Sequence, residues 1–273
     1  MDCFQVQEHF KAIKTIEQFF KTNFTKYESY VSKAVREDLN HAGRPKGGLA
    51  QLVCKSSKIK EERIASQNWR IQAQMLHING FKLLWVNVYF PTDPQTQRID
   101  ETELNATLKD LENIIETSKV NNIIVGGDWN YDDSRTSRFC RIVNDFLEKH
   151  ELVSVWDKFG ADYTYQHNNL TSFSTIDHFF VNQHFLENCV DAAPIHLVDN
   201  RSNHSPIMIK VKIPEVIERS NLKPQVTTKP DWRKASDEDK DNFTAELHEK
   251  LSDLEMPDSL FCTDVTCENP EHS

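Results

Sequence analysis

Asp128 and Asn130 stand where an apolar segment, Asn122-Ile-Ile-Val-Gly-Gly-Asp-Trp-Asn130, gives way to a polar turn. The preceding Gly126 and Gly127 are expected to let the backbone bend sharply. A carboxylate and a carboxamide that face one cleft could hold and deprotonate a water molecule. Taken alone, however, an Asp and an Asn after a strand are more typical of an ordinary turn.

Four other segments carry polar residues at the ends of apolar stretches. They are Phe4-Gln-Val-Gln-Glu-His9, Val86-Asn-Val-Tyr-Phe-Pro91, Ser174-Thr-Ile-Asp-His178 and Ser202-Asn-His-Ser-Pro206. With Gly127-Asp-Trp-Asn130 they resemble, in order, the motifs of the endonuclease/exonuclease/phosphatase superfamily. Gly43-Arg-Pro-Lys-Gly-Gly48 makes the resemblance closest to the apurinic-like endonuclease domain of non-LTR retrotransposons. The resemblance covers residues 1 to about 213.

The resemblance implies a role for each matching residue. Glu8 would be the ligand of Mg²⁺, or of Mn²⁺, since hard cations prefer carboxylate oxygens. Asp128 would orient or deprotonate the attacking water, Asn130 would donate to a phosphate oxygen, and Tyr89 would reach the phosphate or the leaving group. Considered without the motifs, Glu8 is interpreted as a solvent-exposed residue at the start of a helix, and Tyr89 as an aromatic residue of the core.

Asp177 and His204 are paired only by the two motifs that contain them, because 27 residues separate them. The resemblance implies that Asp177 accepts a hydrogen bond from the His204 imidazole and favours its protonated form, which would stabilise the transition state of phosphodiester hydrolysis. The other ten histidines are given no catalytic role.

Two departures from the family pattern bear on activity. The residue before the motif histidine is Asn203 where the family has Asp, so a carboxylate that helps to position metal or water is replaced by an amide. The family also has an Asn-containing strand upstream of the Gln-Glu strand, whereas Met1 lies only seven residues before Glu8. We therefore expect the first strand to lack one hydrogen-bonded neighbour. We also expect that the chain is a truncated or decayed retroelement copy, or that its start is wrongly assigned.

The elements that must position these residues follow from periodicity. Strands are predicted over 48–54, 69–78, 81–90, 122–130, 176–182 and 206–213, and helices over 104–115 and 139–147. Asn79-Gly80 predicts a tight hairpin turn between the second and third strands. These elements, with the resemblance, predict an α/β fold: a four-layer sandwich of two packed mixed β-sheets flanked by helices, followed by a polar C-terminal tail.

Composition limits the function classes. The 273 residues carry a formal charge of -10, and the 7 Lys/Arg and 15 Asp/Glu after residue 213 account for -8 of it. The body is therefore close to neutral and has no bulk positive field for nucleic acid, although a local basic patch could still bind phosphate. No run of eighteen apolar residues or secretory signal is visible, and the six cysteines form no disulfide pattern, so an intracellular protein without a membrane partner is expected.

The polar composition after residue 213 predicts a domain boundary, with an endonuclease-like domain over 1–213 and an acidic linker and tail over 214–273. A helix near 236–254, capped by Ser236, is predicted inside the tail. Cys262, Cys267 and His272 could bind a metal, but their spacing does not match the usual zinc pairs and a fourth ligand is missing.

The leading functional hypothesis is a Mg²⁺-dependent endonuclease of retrotransposon origin that nicks DNA, with reduced or lost activity. An inactive remnant that serves as a binding or structural module is the first alternative. A phosphatase for a phosphorylated lipid or inositol is the second. The resemblance also implies a nuclear location and, in related full-length proteins, a reverse transcriptase downstream.

Overall fold

The computed structural model describes residues 2–11, 15–35, 44–93, 101–167, 171–214 and 236–252. The chain divides into two compact units, Met1–Ile217 and Glu218–Ser273. The boundary expected at residue 214 stays a prediction. The proposed linker over 215–235 and the three tail residues Cys262, Cys267 and His272 lie outside the described residues.

The first unit is built from strands and helices that alternate in part. Its strands are β1 (Cys3–Val6), β2 (Tyr27–Ser32), β3 (Leu49–Cys54), β4 (Ile59–Ile64), β5 (Ile71–Ile78), β6 (Phe81–Tyr89), β7 (Ile123–Asp128), β8 (Leu152–Ser154), β9 (Tyr165–Gln166), β10 (Phe173–Ser174), β11 (Asp177–Asn182), β12 (Cys189–Pro194) and β13 (Ile207–Val211). Its helices are α1 (Ile16–Asn23), α2 (Thr102–Ser118), α3 (Arg138–Lys149) and the short α4 (Trp156–Phe159). In the second unit, α5 (Asp237–Ser252) begins after Ser236, whose hydroxyl accepts from the Asp239 amide at 3.1 Å.

A six-stranded mixed sheet in the order β4-β5-β6-β7-β11-β8 forms the centre of the first unit. The predicted hairpin is confirmed: β5 and β6 pair from Ile78↔Phe81 onward, and Asn79 and Gly80 have φ of 49° and 82°. A turn with two positive φ values matches the twist of the flanking strands. Strand β7 pairs parallel with β6 and antiparallel with β11, so the polar ends of three strands meet at one edge.

The core separates into three apolar layers. One face of the central sheet packs against α2 and α3, and the other packs against β3 and the β12–β13 ribbon. Helix α1 covers the outer face of the three-stranded sheet β1-β3-β2. Helix, sheet, sheet and helix are therefore stacked in four layers, which confirms the predicted fold class.

Polar side chains connect the two sheets and fix their relative register. Gln5 Nε2 donates to the Val86 carbonyl at 2.8 Å, and Gln51 Nε2 donates to the Trp85 carbonyl at 3.0 Å. The buried Asn87 carboxamide donates to the carbonyls of β1 and β3, at Val6 and Ala50, at 3.2 Å each. Buried amides that are hydrogen-bonded in this way define one packing arrangement. They hold the end of β1, and with it Glu8, beside the end of β6.

Strand β1 has a hydrogen-bonded neighbour on one side within the described part of the chain. It pairs with β3 over Cys3↔Val53 to Val6↔Ala50. Among the described strands, β13 pairs only with β12 and is therefore not a neighbour of β1. The expectation that the first strand lacks one side of its ladder stays a prediction.

None of the described helices is long and apolar enough to cross a bilayer.

Candidate active site

The strand register of the central sheet places three of the predicted residues side by side. Tyr89 of β6 pairs with Asp128 of β7, and Asp128 pairs with Asp177 of β11. Asp128 and Asp177 are 5% and 7% exposed, so two carboxyl groups are buried next to each other. Adjacent buried carboxylates repel one another, so this edge of the sheet favours a bound cation or proton.

Glycines at the end of β7 allow close packing rather than the sharp bend that the sequence predicted. A Cβ on Gly127 (φ 141°) would lie 2.1 Å from the Val88 carbonyl oxygen, and one on Gly126 would lie 2.5 Å from the Phe179 ring. The chain instead turns at Asn130, which has a left-handed φ of 48°. Asn is among the residues that adopt this conformation at least cost.

Glu8 is positioned by a turn that follows β1. Its own φ is 54°, and the next two amides, of His9 and Phe10, donate to the carbonyls of Gly48 and Gly47 at 3.3 and 2.9 Å. A Cβ on Gly48 would meet the His9 ring at 2.4 Å. The end of the glycine-containing segment 43–48 therefore holds the Glu8 turn, although Gly43 lies outside the described residues.

The Asp–His pair expected from the motifs is formed. His204 Nδ1 lies 2.9 and 3.1 Å from the two Asp177 carboxylate oxygens. Burial alone would lower the His204 pKa, but the hydrogen bond and charge of Asp177, with the charges of Asp128 and Glu8, raise it to about 9. The imidazole is therefore protonated at neutral pH, and Nδ1 is the ring nitrogen that contacts Asp177.

Glu8, Asp128 and His204 converge on one point. One potential ligand atom from each residue lies within 4.8 Å of the other two. Burial first, and then the negative charge of Asp177, raise the Asp128 pKa to about 8. The two carboxylates are hard donors of the kind that Mg²⁺ or Mn²⁺ prefers, and a divalent cation would relieve their repulsion. The donor set thus fits a hard cation held by Glu8 and Asp128, with His204 as a neighbouring acid.

Tyr89 and Asn130 contact these carboxylates. The Tyr89 hydroxyl donates to Glu8, and burial followed by this contact raises the Tyr89 pKa above its usual value. Asn130 donates from its backbone amide to Asp128 Oδ1 at 2.9 Å, and from Nδ2 to Asp128 Oδ2 at 3.3 Å and to the Phe90 carbonyl at 2.9 Å. In this structure Asn130 positions Asp128, and its donation to a phosphate stays a prediction.

These side chains line a cavity of about 250 Å³. The lining also includes residues that sequence reasoning missed: Thr92, Asp93, Arg135, Tyr165, His167 and Ile176. Arg135 is the notable addition, because its Nη2 donates to Ser174 Oγ at 3.0 Å and its Nε lies 3.7 Å from Asp132. Its place five residues after Asn130, in the same polar turn, is the signal that could have indicated it.

Asn203 lies outside this cavity lining. The residue is exposed, and its backbone carbonyl accepts from the Gln166 amide at 2.8 Å. The departure at Asn203 therefore affects the rim of the site rather than the cluster of Glu8, Asp128 and His204.

Thr164 is a buried residue that connects Asp177 to the segment that carries His204. Its hydroxyl accepts from the amides of Ile176 and Asp177 at 3.0 and 2.9 Å, and its carbonyl accepts from Ser205 at 2.7 Å. The side chain is 0% exposed, so both amides depend on this oxygen for a partner.

We predict that Thr164→Val destabilises the protein by about 2 kcal/mol, because two buried amides lose their acceptor. It should also lower kcat by about tenfold through displacement of Asp177. Thr107→Val is the matched control, since Thr107 is equally buried and hydrogen-bonds Glu103 and Asn68 at 2.8 and 3.1 Å outside the cavity lining. Urea unfolding and steady-state kinetics measure both. Equal losses of kcat in the two variants would contradict a positioning role.

Comparisons with known proteins agree with this fold. Residues 83–208 match the family model described as endonuclease-reverse transcriptase. No curated protein matches the chain in sequence. Among solved structures, the chain is similar to the AP endonuclease LMAP of Leishmania major, with a TM-score of 0.61, 13% identity and coverage of 78% of this chain and 79% of that one.

Two further structures are similar over the same extent of the chain. A 3'-5' exonuclease (NExo) of Neisseria meningitidis gives a TM-score of 0.57 at 14% identity, with 78% of this chain and 90% of that chain covered. The endonuclease domain of TRAS1, a telomere-specific non-LTR retrotransposon, gives 0.53 at 12% identity, with 77% and 99% covered.

The four layers and the pocket define an α/β sandwich with an acidic cluster and an Asp–His pair at the ends of its central strands. This is the fold of the endonuclease/exonuclease/phosphatase superfamily, and the resemblance that the five motifs indicated is confirmed.

Proposed function

We propose that the chain is a Mg²⁺-dependent phosphodiester hydrolase that nicks DNA. The observation that carries this proposal is the convergence of Glu8, Asp128 and His204, with ligand atoms within 4.8 Å of one another and His204 paired to Asp177. An acidic pair, a protonated imidazole and a guanidinium in one cavity are the groups that phosphodiester hydrolysis uses.

Each side chain has a distinct task in this mechanism. Glu8 and Asp128 would hold Mg²⁺, which supplies neutralisation of charge on the phosphate and the leaving oxygen. Asp128 Oδ would orient the attacking water or accept its proton. His204 donates from Nε2 to a phosphoryl oxygen while Asp177 holds its Nδ1. Tyr89 reaches the phosphate or the leaving oxygen, and Asn130 keeps Asp128 in place.

DNA as the substrate is supported by the comparisons and by the site. The matching family is described as endonuclease-reverse transcriptase, and two of the similar structures are endonucleases, one of them from a retrotransposon. Arg135 adds a positive charge inside the cavity, and Arg70 stacks over the rings of Trp69 and Tyr89 next to it. We extend the proposal to a retrotransposon-derived protein that works in the nucleus, with a reverse transcriptase downstream in related full-length proteins.

Supercoiled plasmid is the direct substrate for a test. The purified chain with Mg²⁺ should convert it to the nicked circle, and EDTA should stop the reaction. Glu8→Gln should raise the Mg²⁺ concentration for half-maximal nicking by about tenfold or more, because one of the two carboxylate ligands of Mg²⁺ loses its charge. Glu187→Gln, at an exposed glutamate outside the cavity lining, should leave it unchanged.

The same preparations should be assayed for phosphate release from inositol polyphosphates. Nicking without phosphate release supports the nuclease. Phosphate release without nicking would replace it with the phosphatase alternative. If the folded protein binds DNA but shows neither reaction, the result supports the binding-module alternative.

We propose that the amide at Asn203 reduces activity without abolishing it. Asn203→Asp should raise the nicking rate, by about tenfold, because an exposed carboxylate at the rim acts on metal or water at a distance rather than as a direct ligand. The measurement is the single-turnover nicking rate at saturating Mg²⁺. A rate unchanged by Asn203→Asp, in a protein with normal stability, would show that the departure has no catalytic cost.

A further inference from the structure

A second, larger cavity lies beside β8, the strand at one edge of the central sheet. Its volume is about 510 Å³, and it shares no lining residue with the active-site cavity. Helices α3 and α4 and strands β8 and β11 contribute to its wall. None of the residues to which the proposed mechanism gives a role lines it. The cavity is therefore a candidate binding site in its own right.

The floor of this cavity is aromatic. Tyr131, Trp156, His178 and Phe180 are each between 3% and 9% exposed. The His178 and Phe180 rings stack with centroids 5.0 Å apart at 20°, and the Tyr131 ring lies 5.6 Å from the His178 ring. Flat, buried rings of this kind favour a flat apolar group and attract a cation at their faces.

The rim of the cavity is acidic. Asp133, Glu148 and Asp157 are exposed carboxylates, and no lysine or arginine is among the described lining residues. Burial raises the pKa of Tyr131 to about 12, and the charges of Asp133 and Asp157 act in the same direction. A cavity with low-dielectric walls and a rim of one charge sign concentrates ions of the opposite sign. The rim therefore selects a positively charged ligand.

His178 supplies a second, independent feature. Its Nε2 lies 2.9 Å from the Tyr131 carbonyl and 3.1 Å from the Thr175 carbonyl, so this nitrogen carries the ring proton. Burial lowers the His178 pKa, which keeps the ring neutral and makes Nδ1 an acceptor. Nδ1 is buried and has no hydrogen-bond partner among the described residues. Buried acceptors are nearly always satisfied in folded proteins, so Nδ1 is available to an N–H or O–H donor.

We propose that this cavity, hereafter the aromatic–acidic cavity, binds a small organic cation in which a primary ammonium group is joined to an aromatic ring by a short alkyl chain. The ring packs on the aromatic floor, and the ammonium group pairs with the carboxylate rim and offers an N–H donor to the unsatisfied His178 Nδ1. Because the lining is separate from the active-site cavity, the proposal stands or falls independently of the nuclease activity.

Three probes of nearly equal size separate charge from shape. The full chain at neutral pH is titrated by calorimetry with 2-phenylethylamine, with the neutral 2-phenylethanol and with the anionic 3-phenylpropionate. The amine should bind at least about tenfold more tightly than the alcohol, and the acid should not bind measurably. Equal binding of amine and alcohol, or no binding of the amine to the folded chain, would overturn the proposal.

Variants locate the binding. Replacement of the rim acids by Asp133→Asn with Asp157→Asn should weaken amine binding by about tenfold or more while leaving alcohol binding unchanged, because the loss is electrostatic. Asp145→Asn is the matched control, since Asp145 is an exposed acid of α3 outside the lining. An equal loss in Asp145→Asn would mean that the amine responds only to overall charge, which refutes a specific site.

His178→Tyr tests the floor, because the larger ring should occupy part of the cavity and remove the Nδ1 acceptor. Binding of the amine should be lost in this variant. If the variant does not fold, the double asparagine variant, whose changes lie at exposed positions, decides the question by itself.

Discussion

Asp128→Asn should lower the rate of plasmid nicking by about 10³-fold while making the metal-free protein more stable at alkaline pH. The activity loss is large because one substitution removes both a cation ligand and the acceptor of the water proton. The amide is nearly isosteric and can still accept from the Asn130 amide, which contacts Asp128 Oδ1 at 2.9 Å. A collapse of the turn is therefore not expected.

The stability gain follows from the raised pKa of Asp128. A carboxyl group whose pKa rises from 3.8 to about 8 on folding binds its proton more tightly in the folded state. Its contribution to stability is therefore complete below about pH 4 and is lost as the pH rises through about 8. Asparagine resembles the neutral form at every pH, so the difference from wild type should be largest above pH 8.

Thermal unfolding in EDTA at pH 5 and pH 9 measures this difference. Asp128→Asn should unfold at a higher temperature than wild type at pH 9, with a smaller difference at pH 5. Addition of Mg²⁺ should stabilise wild type more than the variant. A variant that is less stable than wild type at pH 9, or that nicks plasmid at the wild-type rate, would contradict the assigned role of Asp128.

His204→Gln should reduce nicking by about 10²-fold to 10³-fold, because the transition state loses a charged donor while Glu8 and Asp128 remain. Asp177→Asn should act in the same direction by removing the partner of His204 Nδ1, at 2.9 Å. It should also lower the His204 pKa from about 9, since the hydrogen bond and charge of Asp177 are what outweigh burial. NMR titration of the His204 ring in EDTA reports this shift directly.

The chain contains a second Asp–His pair that serves as a control. His196 Nε2 lies 3.1 Å from Asp162, but neither residue lines the active-site cavity. His196→Gln removes a similar contact and should leave nicking unchanged. If His196→Gln and His204→Gln reduce nicking equally, the loss comes from disturbance of the loops and not from the chemistry of His204.

The pH dependence of stability is a second measurement of the interaction between Asp177 and His204. A histidine whose pKa is raised on folding contributes stability that is complete below about pH 6.5 and is lost as the pH rises through about 9. In metal-free protein, Asp177→Asn should therefore destabilise most at pH 6 and least at pH 10. The opposite trend would show that His204 is neutral in the folded state.

Sequence reasoning was most successful where local preference and tertiary packing agree. The Asn79-Gly80 hairpin, the helices α2 and α3 and the strand that ends at Asp128 follow from turn chemistry and apolar period alone. It was less successful for short or partly exposed strands. Strands β2, β4 and β12 were missed because their stability comes from neighbours along the sheet rather than from their own pattern.

At the site, the sequence motifs named Glu8, Tyr89, Asp128, Asn130, Asp177 and His204, and the structure brings them into one cavity region. What they do to each other could not be read from spacing. The Asp128 pKa depends on burial and on Asp177, 49 positions away in the chain, and the Asn130 side chain proved to donate to Asp128. Thr164 gave no signal, since a threonine in a polar turn is an ordinary residue, and the only signal for Arg135 was its place in the polar turn after Asn130.

The chain's own sequence determined which residue types stand at the strand ends, where the hairpin turns and that the first 213 residues carry almost no net charge. These properties are local or additive, so they are present before the chain folds. Only the tertiary structure decided that β6, β7 and β11 are neighbours in register and that two carboxyl groups share one buried edge with an imidazole. Proximity and desolvation arise from contacts between distant segments, and the strengths of the resulting electrostatic interactions depend on both.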